Sequence, residues 1–403
     1  MISETFKIIS RALSSRDISH SLFLRLLSIA PALTFVFLYS SRIGLERRGV
    51  VVALLTITMF SSLIIEKGLS VASRIGKWEI NTYKKLLKSV KICIQYSILA
   101  QVLLLLTLFI KTNFFSLTLF ALAILLCIMQ CTQYFISDLL FTKNKHIISA
   151  RLELMSAFLQ LVFFILLTFT ELSVAASIFL SGIAASMVNS SLLIRSLIKA
   201  KVLTHSSEVE EISLRNIGRY IFWSITQYLH ANQEKAMVLF FLDFTNFAKY
   251  TICTSYFVVL KSVSDIGNKF FMKEKYHKAG EKVRISVLVI TPITFGVIFL
   301  VPSLFLIKEF LGDYWLVTWE IIMFSCVIEC IRYLVYGDSV RALHQSKNSL
   351  MILAQLLWMI FAFVFAFCIY YIASWDGILP VLLIMFILNL ILIRNFKKVS
   401  IEG

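Results

Sequence analysis

The most polar stretch of this apolar sequence lies near position 230. Four side chains there recur at i, i+4, i+7 and i+11 and so share one face of a helix: Trp223, Gln227, His230 and Glu234. Lys235 follows directly and adds a positive charge that would attract an anion, while Glu234 could take a coupling cation. The alternative is that His230 and Glu234 only join neighbouring helices by hydrogen bonds.

Two other positions combine charge with an apolar setting. Arg25 lies near the start of an apolar run, where its guanidinium could bind phosphate. Its alternative role is to extend toward the lipid headgroups. Glu329 and Arg332 are three residues apart in another apolar run, so they can pair on one helical face. Arg332 could line a cationic cavity, and Glu329 could take part in ion coupling. The alternative is that the two residues form only a structural ion pair.

The composition limits the classes of protein to which these residues can belong. Of 403 residues, 59% are hydrophobic and only 15% are charged, with a mean hydropathy of +0.86. A soluble fold of this length could not bury so much apolar surface. Apolar runs of about 20 residues indicate helices that cross a bilayer, and they exclude a soluble enzyme. The net charge of +16 is explained by basic cytoplasmic loops and does not indicate nucleic acid.

The apolar runs predict an all-α polytopic membrane protein with about twelve transmembrane helices. The spans lie near 20–40, 49–66, 89–110, 115–137, 150–170, 173–194, 217–241, 245–264, 285–307, 314–336, 349–373 and 377–393. With basic residues at span ends counted in the adjoining connection, 30 Lys and Arg fall on one side and 6 on the other. The positive-inside rule then places both termini in the cytoplasm.

A repeated basic segment divides the spans into two sets of six. Lys67–Lys91 and Lys261–Arg284 each carry seven Lys and Arg and each follow the second span of a set. We predict that both form amphipathic helices on the inner leaflet. The predicted domains are six-helix bundles over 1–205 and 206–403, related by pseudo-two-fold symmetry, an arrangement typical of transporters.

The remaining polar residues receive structural interpretations. Asp138 and Glu153 flank the turn between the fourth and fifth spans and are expected to be solvated. All seven cysteines lie in apolar runs and are expected to be buried free thiols. No set of ligands predicts a metal or cofactor, no phosphate-binding loop is present, and the outer loops are too short to hold catalytic residues of a glycan polymerase.

Five segments along the chain resemble the oligosaccharide-lipid flippases, the O-antigen and polysaccharide family of the multidrug/oligosaccharidyl-lipid/polysaccharide exporter superfamily. They are IGLERRGV at 43–50, GLSVASR at 68–74, NQEK at 232–235, FLGDY at 310–314 and RALHQSK at 341–347. The family's frequent Gly is replaced by Ala248 and Gln345. Twelve spans, where lipid II flippases usually have fourteen, separate the chain from that branch.

The resemblance implies a non-enzymatic flippase in the bacterial inner membrane that works by alternating access. Its substrate would be an oligosaccharide repeat unit on undecaprenyl diphosphate, used for O-antigen, lipopolysaccharide or capsule-type polysaccharide biosynthesis. Membrane lipids, H+ or Na+ and the polysaccharide polymerase machinery would be its partners. Two alternatives stay open: a multidrug or organic-cation antiporter of the same superfamily, and a membrane enzyme of glycan assembly.

Overall fold

Apolar runs become helices in this protein because a helix satisfies all its backbone hydrogen bonds internally, as a bilayer requires. The computed structural model describes residues 16–74, 80, 82–112, 116–143, 145–199 and 244–255, together with the isolated positions 222, 225, 226, 239, 356, 357, 359, 360 and 364. Within these residues the fold is helical. The helices are α1 (Arg16–Ser40), α2 (Leu45–Arg74), α3 (Tyr83–Thr112), α4 (Leu117–Thr142), α5 (His146–Leu167), α6 (Val174–Lys199) and α7 (Phe244–Ser255).

Helices α1 to α6 correspond to the first six predicted spans. Each is long and apolar enough to cross a membrane, which confirms a polytopic membrane protein within the described residues. Helix α7 overlaps the first half of the predicted eighth span and buries Phe247, Ala248 and Tyr250. The predicted twelve-helix total includes spans that lie outside the described residues.

The first basic segment differs from its prediction. We predicted a separate interfacial helix over Lys67–Lys91, and this is wrong. Helix α2 runs without interruption to Arg74 and α3 starts at Tyr83, so most of the segment consists of extensions of two spanning helices. The second basic segment, Lys261–Arg284, lies outside the described residues.

The chain divides into two compact units. One comprises Ala12–Ile225 and contains α1 to α6, and the other comprises Met1–Arg11 with Thr226–Gly403 and contains α7. The predicted domain boundary after residue 205 stays a prediction.

Helix α4 is the centre of the unit formed by α1 to α6. It packs against α2, α3, α5 and α6, while α1 packs chiefly against α5. The approach of α6 depends on Gly182, where an added Cβ would lie 3.0 Å from Leu126 Cδ1 and 3.6 Å from Gln160 Nε2. Small residues permit such close contacts between membrane helices, which compensates for the lack of a hydrophobic driving force in lipid.

Candidate functional site: a buried ion pair joining three helices

A charged and hydroxylated group of side chains joins α1, α4 and α5. Arg25 Nη2 lies 2.7 Å from Glu153 Oε1 and donates a hydrogen bond of 3.3 Å to Ser149 Oγ. The hydroxyls of Ser137 and Ser149 are 2.8 Å apart, and Ser137 Oγ donates to Glu153 Oε1 at 3.2 Å. These four residues are called the Arg25–Glu153 cluster below.

The sequence brings the cluster together through two local features. Ser149 and Glu153 are four residues apart and therefore lie on one face of α5. Ser137 lies just over one turn before the end of α4, and the connection from α4 to α5 is only a few residues long. The two helices are therefore adjacent at this level, and α1, which packs against α5, supplies the arginine.

Aromatic and backbone contacts hold the same part of α1 in place. The Arg25 guanidinium carbon lies 5.6 Å from the centroid of the Phe141 ring, a cation–π contact. The Phe141 and His146 rings have centroids 4.3 Å apart. Ser21 Oγ donates to the carbonyl of His146 at 3.4 Å, so the first turns of α1 lie against the start of α5.

Burial is unequal within the ion pair. The Arg25 side chain is 8% exposed, whereas that of Glu153 is 28% exposed. Water or a polar ligand can therefore reach the carboxylate more easily than the guanidinium. Among the described residues, Arg25 Nε has no hydrogen-bond partner, which leaves one donor that a further acceptor could use.

In this arrangement Arg25 and Glu153 neutralise each other's charge in an apolar setting. A lone charge inside a bilayer costs several kcal/mol, and pairing with an opposite charge reduces that cost. Either partner would become a binding group if the other were displaced. The guanidinium could then hold an anion, and the carboxylate could hold a cation or a proton.

The structure describes only one of the predicted site residues. Arg25 is buried in the helix bundle and paired with Glu153, so its side chain points toward α5. The other predicted site residues lie outside the described residues, so their roles stay predictions: Trp223, Gln227, His230, Glu234, Lys235, Glu329 and Arg332.

The expectation that Asp138 is solvated is wrong, because Asp138 is only 3% exposed. Glu153 is 28% exposed, but it is ion-paired with Arg25 and is therefore not an isolated solvated charge. The sequence contained a signal for this pair. Arg25 and Glu153 are charges within apolar runs, and such charges need partners.

A second polar group lies between α2, α3 and α4. Gln101 Nε2 donates to Thr58 Oγ1 at 3.0 Å, and Ser97 Oγ donates to Cys131 Sγ at 3.4 Å. Cys127 Sγ lies 3.8 Å from the carbonyl oxygen of Ser97. Such contacts join membrane helices. Cys93, Cys127 and Cys131 are buried free thiols, as predicted, and the described residues contain no cluster suited to a metal ion.

Comparison with known proteins identifies the fold class. No protein-family model matches the sequence, and no curated protein matches it. Solved transporter structures do match over nearly the whole chain. A variant of the MATE transporter VcmN of Vibrio cholerae has a TM-score of 0.69 at 11% identity, with 100% of this chain and 99% of that chain covered.

Two further solved structures agree with that match. A transporter of the MOP superfamily from Pyrococcus furiosus has a TM-score of 0.68 at 9% identity, covering 96% of this chain and 95% of that one. A multidrug resistance MATE family transporter in an outward-facing conformation has a TM-score of 0.64 at 10% identity, covering 96% of each. The chain therefore has the fold of MOP-superfamily transporters.

Proposed function

We propose that the protein is a membrane transporter that exports an amphipathic organic substrate by alternating access between two helical bundles. The observation that carries this proposal is the match to transporter folds over the whole chain, with a TM-score of 0.69 to VcmN. The six described membrane-length helices support it. Among the matched structures are proteins named as MATE and multidrug resistance transporters, which favours a multidrug or organic-cation antiporter driven by H+ or Na+.

The second candidate is a flippase for an undecaprenyl-diphosphate-linked oligosaccharide in a bacterial inner membrane. The five sequence segments favour it. A diphosphate needs cationic partners to cross hydrocarbon. In this proposal Lys235 and Arg332 join Arg25 in neutralising the diphosphate. Glu234 and Glu329 couple the movement to an ion gradient, and the polysaccharide polymerase machinery receives the product.

The two substrate classes would compete for opposite members of the Arg25–Glu153 pair. An anionic headgroup would compete with Glu153 for the guanidinium. A cationic drug would compete with Arg25 for the carboxylate. Removing one partner therefore strengthens binding of one class and weakens binding of the other, so the two neutral variants form a matched pair.

The test compares wild type, Arg25→Gln and Glu153→Gln in two bacterial hosts. One host lacks its own drug exporters, and the other lacks its own oligosaccharide-lipid flippase. An antiporter raises resistance to cationic dyes in the first host, and Glu153→Gln abolishes that resistance while Arg25→Gln retains it. A flippase restores surface glycan in the second host, and Arg25→Gln abolishes it while Glu153→Gln retains it. Wild-type protein that reaches the membrane and changes neither phenotype would contradict both candidates.

A further inference from the structure

One face of α3 carries a row of exposed polar side chains at its first turns. Lys84, Lys88, Lys91 and Gln95 are all exposed and are spaced at i, i+4, i+7 and i+11, so they form one stripe along the helix. Lys85, which lies off this stripe, is buried. These four exposed residues are called the α3 lysine stripe.

The stripe continues into a surface suited to lipid chains. Leu99, Leu103 and Leu106 are 56%, 55% and 46% exposed and continue the exposed side of α3 toward its other end. Exposed leucines in a helix of membrane length indicate contact with acyl chains. The whole helix contains no Asp or Glu, so no carboxylate on α3 neutralises the lysines.

The length of the stripe exceeds the thickness of the headgroup layer. Eleven residues at 1.5 Å per residue separate Lys84 from Gln95 by about 16 Å. The headgroup region on one side of a bilayer is only about 5–7 Å thick. If Lys84 lies at the outer edge of the headgroups, Lys91 and Gln95 lie at or below the level of the acyl-chain ester groups. Extension of the lysine stems toward water removes only part of this mismatch.

We propose that the α3 lysine stripe is a binding site for an anionic phospholipid of the surrounding inner leaflet. The phosphodiester would lie between Lys88 and Lys91, with the Gln95 amide available to a glycerol or ester oxygen and the acyl chains along the exposed leucines. Charge complementarity carries the assignment, because three ammonium groups without a carboxylate on the same helix suit a phosphate and not a zwitterionic headgroup.

The test measures lipid binding to the purified full-length protein by native mass spectrometry. The probes are phosphatidylglycerol and phosphatidylcholine with identical acyl chains. The variants are Lys88→Gln/Lys91→Gln and, as a control with the same change of charge, Arg195→Gln/Lys199→Gln on the exposed end of α6. Lys88→Arg/Lys91→Arg keeps both charges.

We expect wild type to retain phosphatidylglycerol in preference to phosphatidylcholine. Loss of Lys88 and Lys91 should weaken phosphatidylglycerol binding by about 25-fold, at about fivefold per lysine near a membrane surface. The α6 variant and the double-arginine variant should bind as wild type does. Because the altered side chains are exposed, thermal unfolding without added lipid should not change and serves as the folding control.

Three results would overturn the proposal. Equal retention of the two lipids would show that the stripe does not select anions. An equal loss in the α6 control would show that net charge, and not this site, attracts the lipid. Displacement of bound phosphatidylglycerol by a short polyisoprenyl diphosphate at equimolar concentration would identify the occupant as a transport substrate and not a bilayer phospholipid.

Discussion

Removal of either member of the Arg25–Glu153 pair should destabilise the α1–α4–α5 contact, and the two losses should differ. Removing one partner of a fully buried ion pair costs about 3–5 kcal/mol because the other charge is left uncompensated. In Glu153→Gln the residual charge is Arg25, which is 8% exposed, so we expect a loss of about 3 kcal/mol in the free energy of unfolding. In Arg25→Gln the residual charge is Glu153, which is 28% exposed and therefore less deeply buried, so we expect about 2 kcal/mol.

The double variant Arg25→Gln/Glu153→Gln leaves no charge without a partner, and its two amides can hydrogen-bond each other. It should be no less stable than Glu153→Gln alone, which corresponds to a coupling energy of about 2 kcal/mol. The assay is unfolding in mixed micelles at increasing denaturing-detergent fraction, with the midpoint read for all four proteins. Additive losses in the double variant, or a larger loss in Arg25→Gln than in Glu153→Gln, would refute the inferred pairing and burial.

Three other predictions concern packing, the second polar group and topology. Gly182→Leu should cost about 1–3 kcal/mol in the same unfolding assay because the added side chain has no space against α4, and unchanged stability would contradict the close approach. Thr58→Val should cost about 1–2 kcal/mol because the buried Gln101 amide loses its acceptor, and a Thr58→Val/Gln101→Leu double variant should recover much of that loss if the contact is as described. A cysteine replacing Glu171 should react with an impermeant thiol reagent in intact cells while one replacing Lys145 should not, measured against wild type to correct for the native cysteines. The reverse pattern would invert the orientation.

The sequence predicts the membrane-spanning helices well because apolar length alone decides which segments can cross a bilayer. The predicted span 150–170 corresponds to His146–Leu167, and the predicted span 49–66 lies within Leu45–Arg74. The ends are less predictable. Lys is nearly as good a helix former in water as Ala or Leu, so α3 begins at Tyr83, ahead of the predicted span 89–110, in a Lys-rich stretch that hydropathy does not indicate. The extended start of α3 takes up part of the basic segment Lys67–Lys91, for which we predicted an interfacial helix.

The candidate site is less accessible to sequence reasoning. Arg25 is recognisable as a charge in an apolar run, but its partner Glu153 lies 128 positions later. Adjacency of α1 and α5 follows from how six helices pack, which no local pattern records. The short α4–α5 connection places Ser137 near Ser149, yet serine is common in membrane helices and gives no specific signal. The partner of an intramembrane charge therefore has to be read from the three-dimensional fold.

The central claim is that this chain moves a substrate across a membrane, and transport by the purified protein in sealed liposomes tests it most directly. The probes are a fluorescent organic cation with an imposed H+ or Na+ gradient, and a fluorescent short-chain polyisoprenyl diphosphate oligosaccharide scored by accessibility to an external quencher. We expect saturable, protein-dependent movement of one probe. Movement of the organic cation should be lost in Glu153→Gln, and movement of the diphosphate should be lost in Arg25→Gln. Correctly folded protein that moves neither probe faster than protein-free liposomes would contradict it.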